Sequence, residues 1–296
     1  MDSGLFAIFL PVTLALMMMG LGLELSIKDF LRVGRYPKVI FLALFTQLII
    51  LVSIAFLICK VLDLPPLLSV GLMLLAASPG GPTANLFSYI YKGDVALNMT
   101  LTAINSIICI FTLPFIVNLS LLYFLGDKTT ISMPIDKIAH VFLIIFIPVC
   151  IGMLFRHTLP ARAYQLTRPM RLISIFFLFS IFIYALFREK QNVILYFVDV
   201  GIATAIFCFA SLFLGYLIPH LAKIPEKQAR ACTFEIGIHN TAIAMTTAIS
   251  VLSNTTIAIP AGVYSIVMYI FVLLFGILLT RSTAHNVALN SKISNF

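Results

Sequence analysis

One ten-residue stretch gathers the side chains best suited to chemistry. Cys232-Thr-Phe-Glu-Ile-Gly-Ile-His-Asn-Thr241 puts Glu235, Gly237, His239 and Asn240 near the middle of an otherwise apolar segment, Ala229 to Leu252. In a bilayer an ionisable group at mid-depth costs ~2.5–3.5 kcal/mol on insertion scales, which makes it a candidate for function by default. Gly237 loosens the helix beside that acid, so backbone carbonyls can be released there. Carboxylate, carboxamide and released carbonyls form an oxygen-rich site for a hard cation. That is the chemistry of ion-coupled transport.

The composition supplies the membrane. The chain has 296 residues, 61% hydrophobic and only 10% charged, with a mean hydropathy of +1.10. Soluble domains carry about 25% charged residues, so an all-α polytopic membrane protein is expected. Cys59, Cys109, Cys150, Cys208 and Cys232 sit in or beside apolar runs without paired spacing. They read as small core residues, not disulfides or metal ligands. The net charge of +8 could suggest nucleic acid, but the basic residues gather in certain loops and leave others nearly bare. That is the orientation signal of a membrane protein. The chain opens with Asp2 in place of a basic stretch, and its first apolar run continues too far for a leader, so that run reads as a span.

A helix needs about 20 apolar residues to cross, and the sequence offers about nine such segments. The first three are Leu5–Leu25, Val39–Leu62 with Gln47 inside it, and Leu67–Tyr91, which Ser78-Pro-Gly-Gly-Pro-Thr-Ala-Asn85 interrupts. Two prolines and two glycines cannot sit in a continuous helix without freeing backbone groups. Val95–Leu125 follows, long enough to tilt, with Asn98, Thr102, Asn105 and Ser106 on one face. Then come Ile138–Phe155, Leu172–Phe187, Val193–Ile218, the basic loop His220–Arg230, the Glu235 segment, and Ile257–Thr280 with a polar tail after Arg281. With the amino terminus outside, Lys60, Lys128, Lys137, Arg188 and Lys190 lie outside and every other Lys and Arg lies in the cytoplasm. The positive-inside tendency therefore predicts an outer amino terminus and a cytoplasmic carboxyl terminus.

Leu64-Pro65 precedes Gly80 by the same interval that Ile224-Pro225 precedes Asn240. The two interrupted segments thus read as counterparts in inverted halves, which points to a binding site at mid-depth.

Each motif has a plainer reading. Glu235 could be a structural acid, but no Lys or Arg is expected inside a span to neutralise it, which favours a bound cation. Asn98 and Thr102 could be helix–helix glue; beside Glu235 and Asn85 they serve equally as cation ligands. His239 could serve a proton, a substrate hydrogen bond or packing. Asp199 lies nearer an end than the centre and reads as interfacial.

The Pro79–Asn85 break, Tyr89-Ile-Tyr-Lys-Gly-Asp-Val-Ala-Leu97, Glu235-Ile-Gly-Ile-His-Asn240 and Gly20-Leu-Gly-Leu-Glu…Asp29-Phe30 together resemble bacterial-type members of the bile acid:sodium symporter family. The resemblance covers almost the whole chain. It implies one transporter domain over 1–296: a core domain from helices at about 39–125 and 193–256, and a panel domain from about 5–25, 138–187 and 257–280. It also implies two sodium ions behind the crossing of the broken helices. Asn85, Asn98, Thr102 and Glu235 match the first sodium site. Gln47, Glu235, the carbonyls of Ile236 and Ile238, and the His239 position match the second. Gly81, Pro82, Thr83 and Asn240 would face the substrate from the amino ends of the half-helices. The family is described with ten spans, and the resemblance implies a nine-span form that starts at the second.

The sequence departs from the pattern at three of these places. His239 stands where the family has Gln, Ala84 where it has a Ser ligand, and Pro82 where it has Thr. Met268-Tyr269 replaces a polar pair of some bile-acid-binding members, so a smaller organic anion is as well matched as a sterol.

The expected function is sodium-coupled import of an organic anion through an inner or plasma membrane. Sodium is the coupling ion, and no other cofactor, no nucleic acid and no obligate protein partner is implied. Proton coupling, or efflux as in related metalloid exporters, is the alternative that His239 supports. An intramembrane enzyme would need a nucleophile–base pair or a metal set such as HExxH, and the sequence has neither.

Overall fold

Prolines, helix-ending residues with positive φ and capping side chains divide this apolar chain into helices. The structure, a computed structural model, describes residues 32–81, 83–126, 135–166 and 193–293, several positions between 15 and 26, and residues 169, 172 and 176. Among the described residues there is no strand, only helix and one isolated antiparallel bridge between Gly80 and His239.

Helix α1, Pro37–Val61, starts on a proline and widens into a π turn at Thr46–Ile50, which carries Gln47. It stops at Asp63, whose φ of 48° takes the chain out of the helix, while Leu64 N–H returns to Cys59 O at 3.0 Å. This is the six-to-one closure of a helix carboxyl end. Pro66 then opens α2, Pro66–Ala77. Pro79 forces Ser78 into an extended conformation and ends α2 there. The chain resumes as α3, Thr83–Ile90. Asp94 caps α4, Val95–Leu125, by accepting the Leu97 N–H at 3.0 Å. Helix α5 runs Ile135–Thr158 and α6 Val193–Leu221.

The next stretch repeats the first. Lys223 leaves α6 with φ 57°, Ile224 N–H closes on Pro219 O at 3.0 Å, and Pro225 precedes α7, Glu226–Gly237. Helix α8, Thr241–Thr246, continues as a π turn through Thr247–Val251. Ser253, φ 51°, ends it as Lys92, φ 58°, ends α3. Asn254 then caps α9, Thr255–Ile293, as Asp94 caps α4.

Four helices are long and apolar enough to cross a membrane: Pro37–Val61, Val95–Leu125, Val200–Leu221 and Thr255–Thr280. Phe41, Phe115 and Leu278 are exposed on them, as residues facing lipid should be. Helix α2 packs against α4 and α9, α6 against α7 and α9, and α7 against α3 and α4. In lipid such contacts rest on close van der Waals fit and not on exclusion of water. Near the amino terminus, an added Cβ at Gly22 would meet Val149 O at 2.2 Å and one at Gly152 would meet Met19 O at 2.4 Å. Two small residues thus let the first segment lie directly on α5.

The polar tail after Arg281 continues α9 as far as Ile293, and no proline or glycine interrupts it there. One sequence expectation changes. Arg230, expected in a loop, is inside α7 and 3% exposed. Its donors are taken by Glu226 Oε1 at 2.8 Å, Tyr91 O at 2.8 Å and Leu279 O at 2.9 Å. The expected segment at 172–187 lies outside the described residues apart from 172 and 176, as does most of the first segment.

Candidate functional site

The two breaks complete each other. Gly81 N–H donates to Ile238 O at 2.6 Å, and Asn240 N–H donates to Pro79 O at 2.8 Å. A polar backbone at membrane depth survives only when protein satisfies it, and here each interrupted helix satisfies the other. In a continuous helix Asn240 N–H would have reached Ile236 O. Its diversion leaves that carbonyl without its helical donor. Gly237 O is held by the Tyr264 hydroxyl at 2.9 Å.

Glu235 sits in the last turn of α7 and is 2% exposed. Its carboxylate fills the space above Gly80, where an added Cβ would come within 2.0 Å of Oε1. Only glycine fits there. The Thr102 hydroxyl of α4 donates to Glu235 Oε2 at 2.5 Å. One turn earlier, Asn98 Nδ2 donates to Ser88 Oγ at 2.8 Å and to Ala231 O at 2.9 Å. Both amide protons are spent, so Asn98 Oδ1 is fixed as a bare acceptor. Arg230 does not neutralise Glu235: its guanidinium is turned to Glu226, Tyr91 and Leu279, and five residues of helix, about 7.5 Å of rise, separate the two positions.

A second cluster lies on the other side of the crossing. Gln47 Nε2 donates to Ser78 O at 3.2 Å and faces His239 Nδ1 at 3.3 Å, which fixes Gln47 Oε1 as an acceptor. The His239 ring lies between Phe207, centroids 5.1 Å apart, and Tyr264 at 5.5 Å.

Gln47 Oε1, Asn85 Oδ1, Asn98 Oδ1 and Glu235 Oε1 are buried and have no hydrogen-bond partner among the described residues. A buried polar atom left so costs about 1–3 kcal/mol, more for a charged one. An ordinary core avoids this by pairing donors with acceptors. Here the surplus is of oxygen acceptors, and a cation is the ligand that satisfies several of them together. Oxygen ligands of this kind suit sodium. Among the described residues no three His, Cys, Asp or Glu side chains cluster as transition-metal ligands.

Of the expected site residues, the structure brings together Asn98, Thr102 and Glu235, and separately Gln47 and His239. Ile236 and Ile238 lie in the break, with Ile238 O already accepting from Gly81. Asn85 is on α3 with its oxygen buried. Asn240 Oδ1 accepts the Ile243 N–H at 3.2 Å and so caps α8. Thr83 is partly exposed at the start of α3, and Pro82 lies outside the described residues. Sequence reasoning missed Ser88, the Ala231 carbonyl and Tyr264, which orient Asn98 and hold the break. A tyrosine inside an apolar span was the one visible signal among them.

The model of the sodium bile acid symporter family matches residues 11–197, which includes the first break. The P3 protein of Homo sapiens is 29% identical over 233 residues, 76% of this chain and 47% of that protein. The ileal sodium/bile acid cotransporter of Homo sapiens is 26% identical over 240 residues, 80% of this chain and 68% of that protein. The uncharacterized sodium-dependent transporter YocS of Bacillus subtilis is 21% identical over 258 residues, 87% of this chain and 78% of that protein, a match long enough to span both breaks. The chain covers about half the length of the P3 protein. The family match, covering well over half the chain and joined here to apolar helices crossing at two breaks, makes this protein a member of the sodium bile acid symporter family and a multi-pass membrane protein.

Proposed function

We propose that the protein imports an organic anion by coupling it to inward sodium flow. The observation that carries this reading is the surplus of buried oxygen acceptors around Glu235. One sodium would be held by Glu235, Thr102, Asn98 and Asn85. A second would be held by Gln47, Glu235, the carbonyls of Ile236 and Ile238, and the His239 position. Ala84 is fully buried and brings no side-chain oxygen, so the first ion depends on the other four residues.

Without an ion, the Glu235 carboxylate keeps one buried oxygen unpaired and strains the crossing. An ion bridges α7 to α4 and α3 and sets the geometry of both breaks. The amino ends of α3 and α8 then present positive dipole ends to a carboxylate or sulfonate. Gly81 N–H and Asn240 Oδ1 are already used. The Thr83 hydroxyl and the Asn240 amide therefore serve the anion, beside Pro82. Access changes as a core of α1–α4 and α6–α8 rocks against a panel containing the first segment and α5. Helix α9 was expected in the panel; because it packs on α2, α6 and α8, we assign it to the core.

The test is uptake by purified protein in proteoliposomes, with small carboxylates and a bile-acid-like sulfonate, under sodium or proton gradients. Sodium-driven accumulation of at least one anion is expected. Accumulation that follows a proton gradient and ignores sodium would overturn the reading. The cell-membrane orientation proposed, amino terminus outside, is tested by single cysteines at exposed Lys60 and Gln165. An impermeant reagent added outside should label the first and spare the second; the opposite pattern reverses the orientation.

A further inference from the structure

Inside these helices a hydroxyl has a default partner, the carbonyl one turn back. Thr100, Thr112 and Ser120 of α4 make that bond, to Ala96, Ile108 and Ile116, while the Thr102 proton goes to Glu235. Ser106, on the same helix, does neither. Its Oγ is buried without a partner among the described residues, and so is Oδ1 of its neighbour Asn105, which is 3% exposed. Neither atom belongs to the Glu235 or Gln47 clusters.

Their position is bracketed. Thr102, one turn before, touches Glu235, and Cys109, one turn after, donates to Ala77 O at 3.5 Å. At 100° per residue, positions 102, 105, 106 and 109 share one face of α4. Asn105 and Ser106 thus lie between the Glu235 carboxylate and the carboxyl end of α2. Pro79 stops the helix there, so its last turn keeps only part of its donors: Leu75 O accepts the Ser78 N–H at 3.0 Å and the Ser78 hydroxyl at 2.7 Å, and among the described residues Ala77 O accepts only the Cys109 thiol. That end carries the negative pole of a 12-residue helix. Two unpaired oxygens beside a negative helix end favour a cation, because the helix pole repels an anion there.

We propose that Asn105 and Ser106, with carbonyls of the last turn of α2, form a further sodium station next to the Glu235 site. It has no carboxylate, so it binds more weakly than Glu235 and holds the ion on its way in or out of that site. This rests on the sodium coupling proposed above.

The test is sodium-specific thermal protection of the purified full chain in detergent, titrated with sodium against a choline background. The wild type should be protected, and Glu235→Gln should not. Asn105→Leu should raise the sodium concentration for half protection about tenfold, as loss of one charge-assisted contact does. Ser106→Ala supplies a second readout should Asn105→Leu not fold. Removing an unpaired buried hydroxyl should leave the melting temperature in choline equal or higher, while sodium protection weakens. No protection of the wild type overturns the coupling and this station together. Protection of the wild type that Glu235→Gln removes, but Ser106→Ala leaves unchanged, overturns the station alone.

Discussion

The two interrupted helices share a scaffold and divide the chemistry. Both begin after a positive-φ residue and a proline, and both break where the other's backbone supplies hydrogen bonds. The half-helix before the first break, α2, ends in Leu-Leu-Ala-Ala and is buried by apolar contact. The half-helix before the second, α7, carries Glu226 and Arg230 near its start and Glu235 near its end. One break supplies backbone and space, through Ser78 O and Gly80; the other supplies charge. The difference teaches that the repeat fixes geometry while a single unpaired carboxylate makes the crossing responsive to an ion.

The most direct way to break this comparison is to remove the charge. Glu235→Gln keeps the volume and the Thr102 contact but cannot hold a sodium strongly, and coupled uptake should fall at least 100-fold, the effect of about 2.8 kcal/mol, with normal insertion. Near-normal sodium-driven uptake by a well-expressed Glu235→Gln protein would refute the division of labour.

The space at the first break comes next. Gly80→Ala drives a methyl into the Glu235 carboxylate, whereas a Cβ at Gly81 meets nothing closer than His239 O at 3.2 Å. Overpacking of the first kind costs about 1–3 kcal/mol. Gly80→Ala should therefore lower thermal stability and sodium affinity together, and Gly81→Ala should do much less. Equal effects of the two would show that Glu235 does not rest against Gly80 in the working protein.

Much of this arrangement was legible in the sequence, for physical reasons. Pro79, Gly80, Gly81 and Pro82 cannot propagate a helix, so the first break was visible. An acid in mid-span marked the second, and the interval from Leu64-Pro65 to Gly80 exposed the repeat. Arg230 was misread because its neighbours, Glu226 and Lys227, look like a loop; the carbonyls of Tyr91 and Leu279 that bury it come from distant helices. The orientation of Asn98 was equally hidden, since its partners Ser88 and Ala231 belong to two other segments. The π turn around Gln47 has no sequence signature at all.

A smaller effect is expected at His239, where charge and packing meet. Its ring packs on Phe207 and Tyr264 while Nδ1 faces Gln47. His239→Gln loses the ring contacts, about 0.5–1.5 kcal/mol, and gains an amide oxygen at the crossing. Melting in choline should drop slightly, and the sodium dependence of uptake should shift to lower concentration. An unchanged sodium curve would show that His239 only packs.

The smallest effect sharpens the scaffold side of the comparison. Asp63 and Lys223 occupy equivalent helix ends with φ of 48° and 57°. A residue with a Cβ in that region is strained by roughly 1–2 kcal/mol, part of which glycine returns through its larger unfolded-state entropy. Asp63→Gly and Lys223→Gly should each stabilise the protein by about 0.5–1 kcal/mol. Both residues stand well before the breaks in sequence, so neither should move the sodium dependence of uptake. Thermal melting of the two variants and their double mutant is the measurement. Additive gains with unaltered sodium curves would mark the two ends as equivalent scaffold. If either substitution changed sodium affinity, that helix end would belong to the coupling machinery, and the halves would differ in more than the placement of one carboxylate.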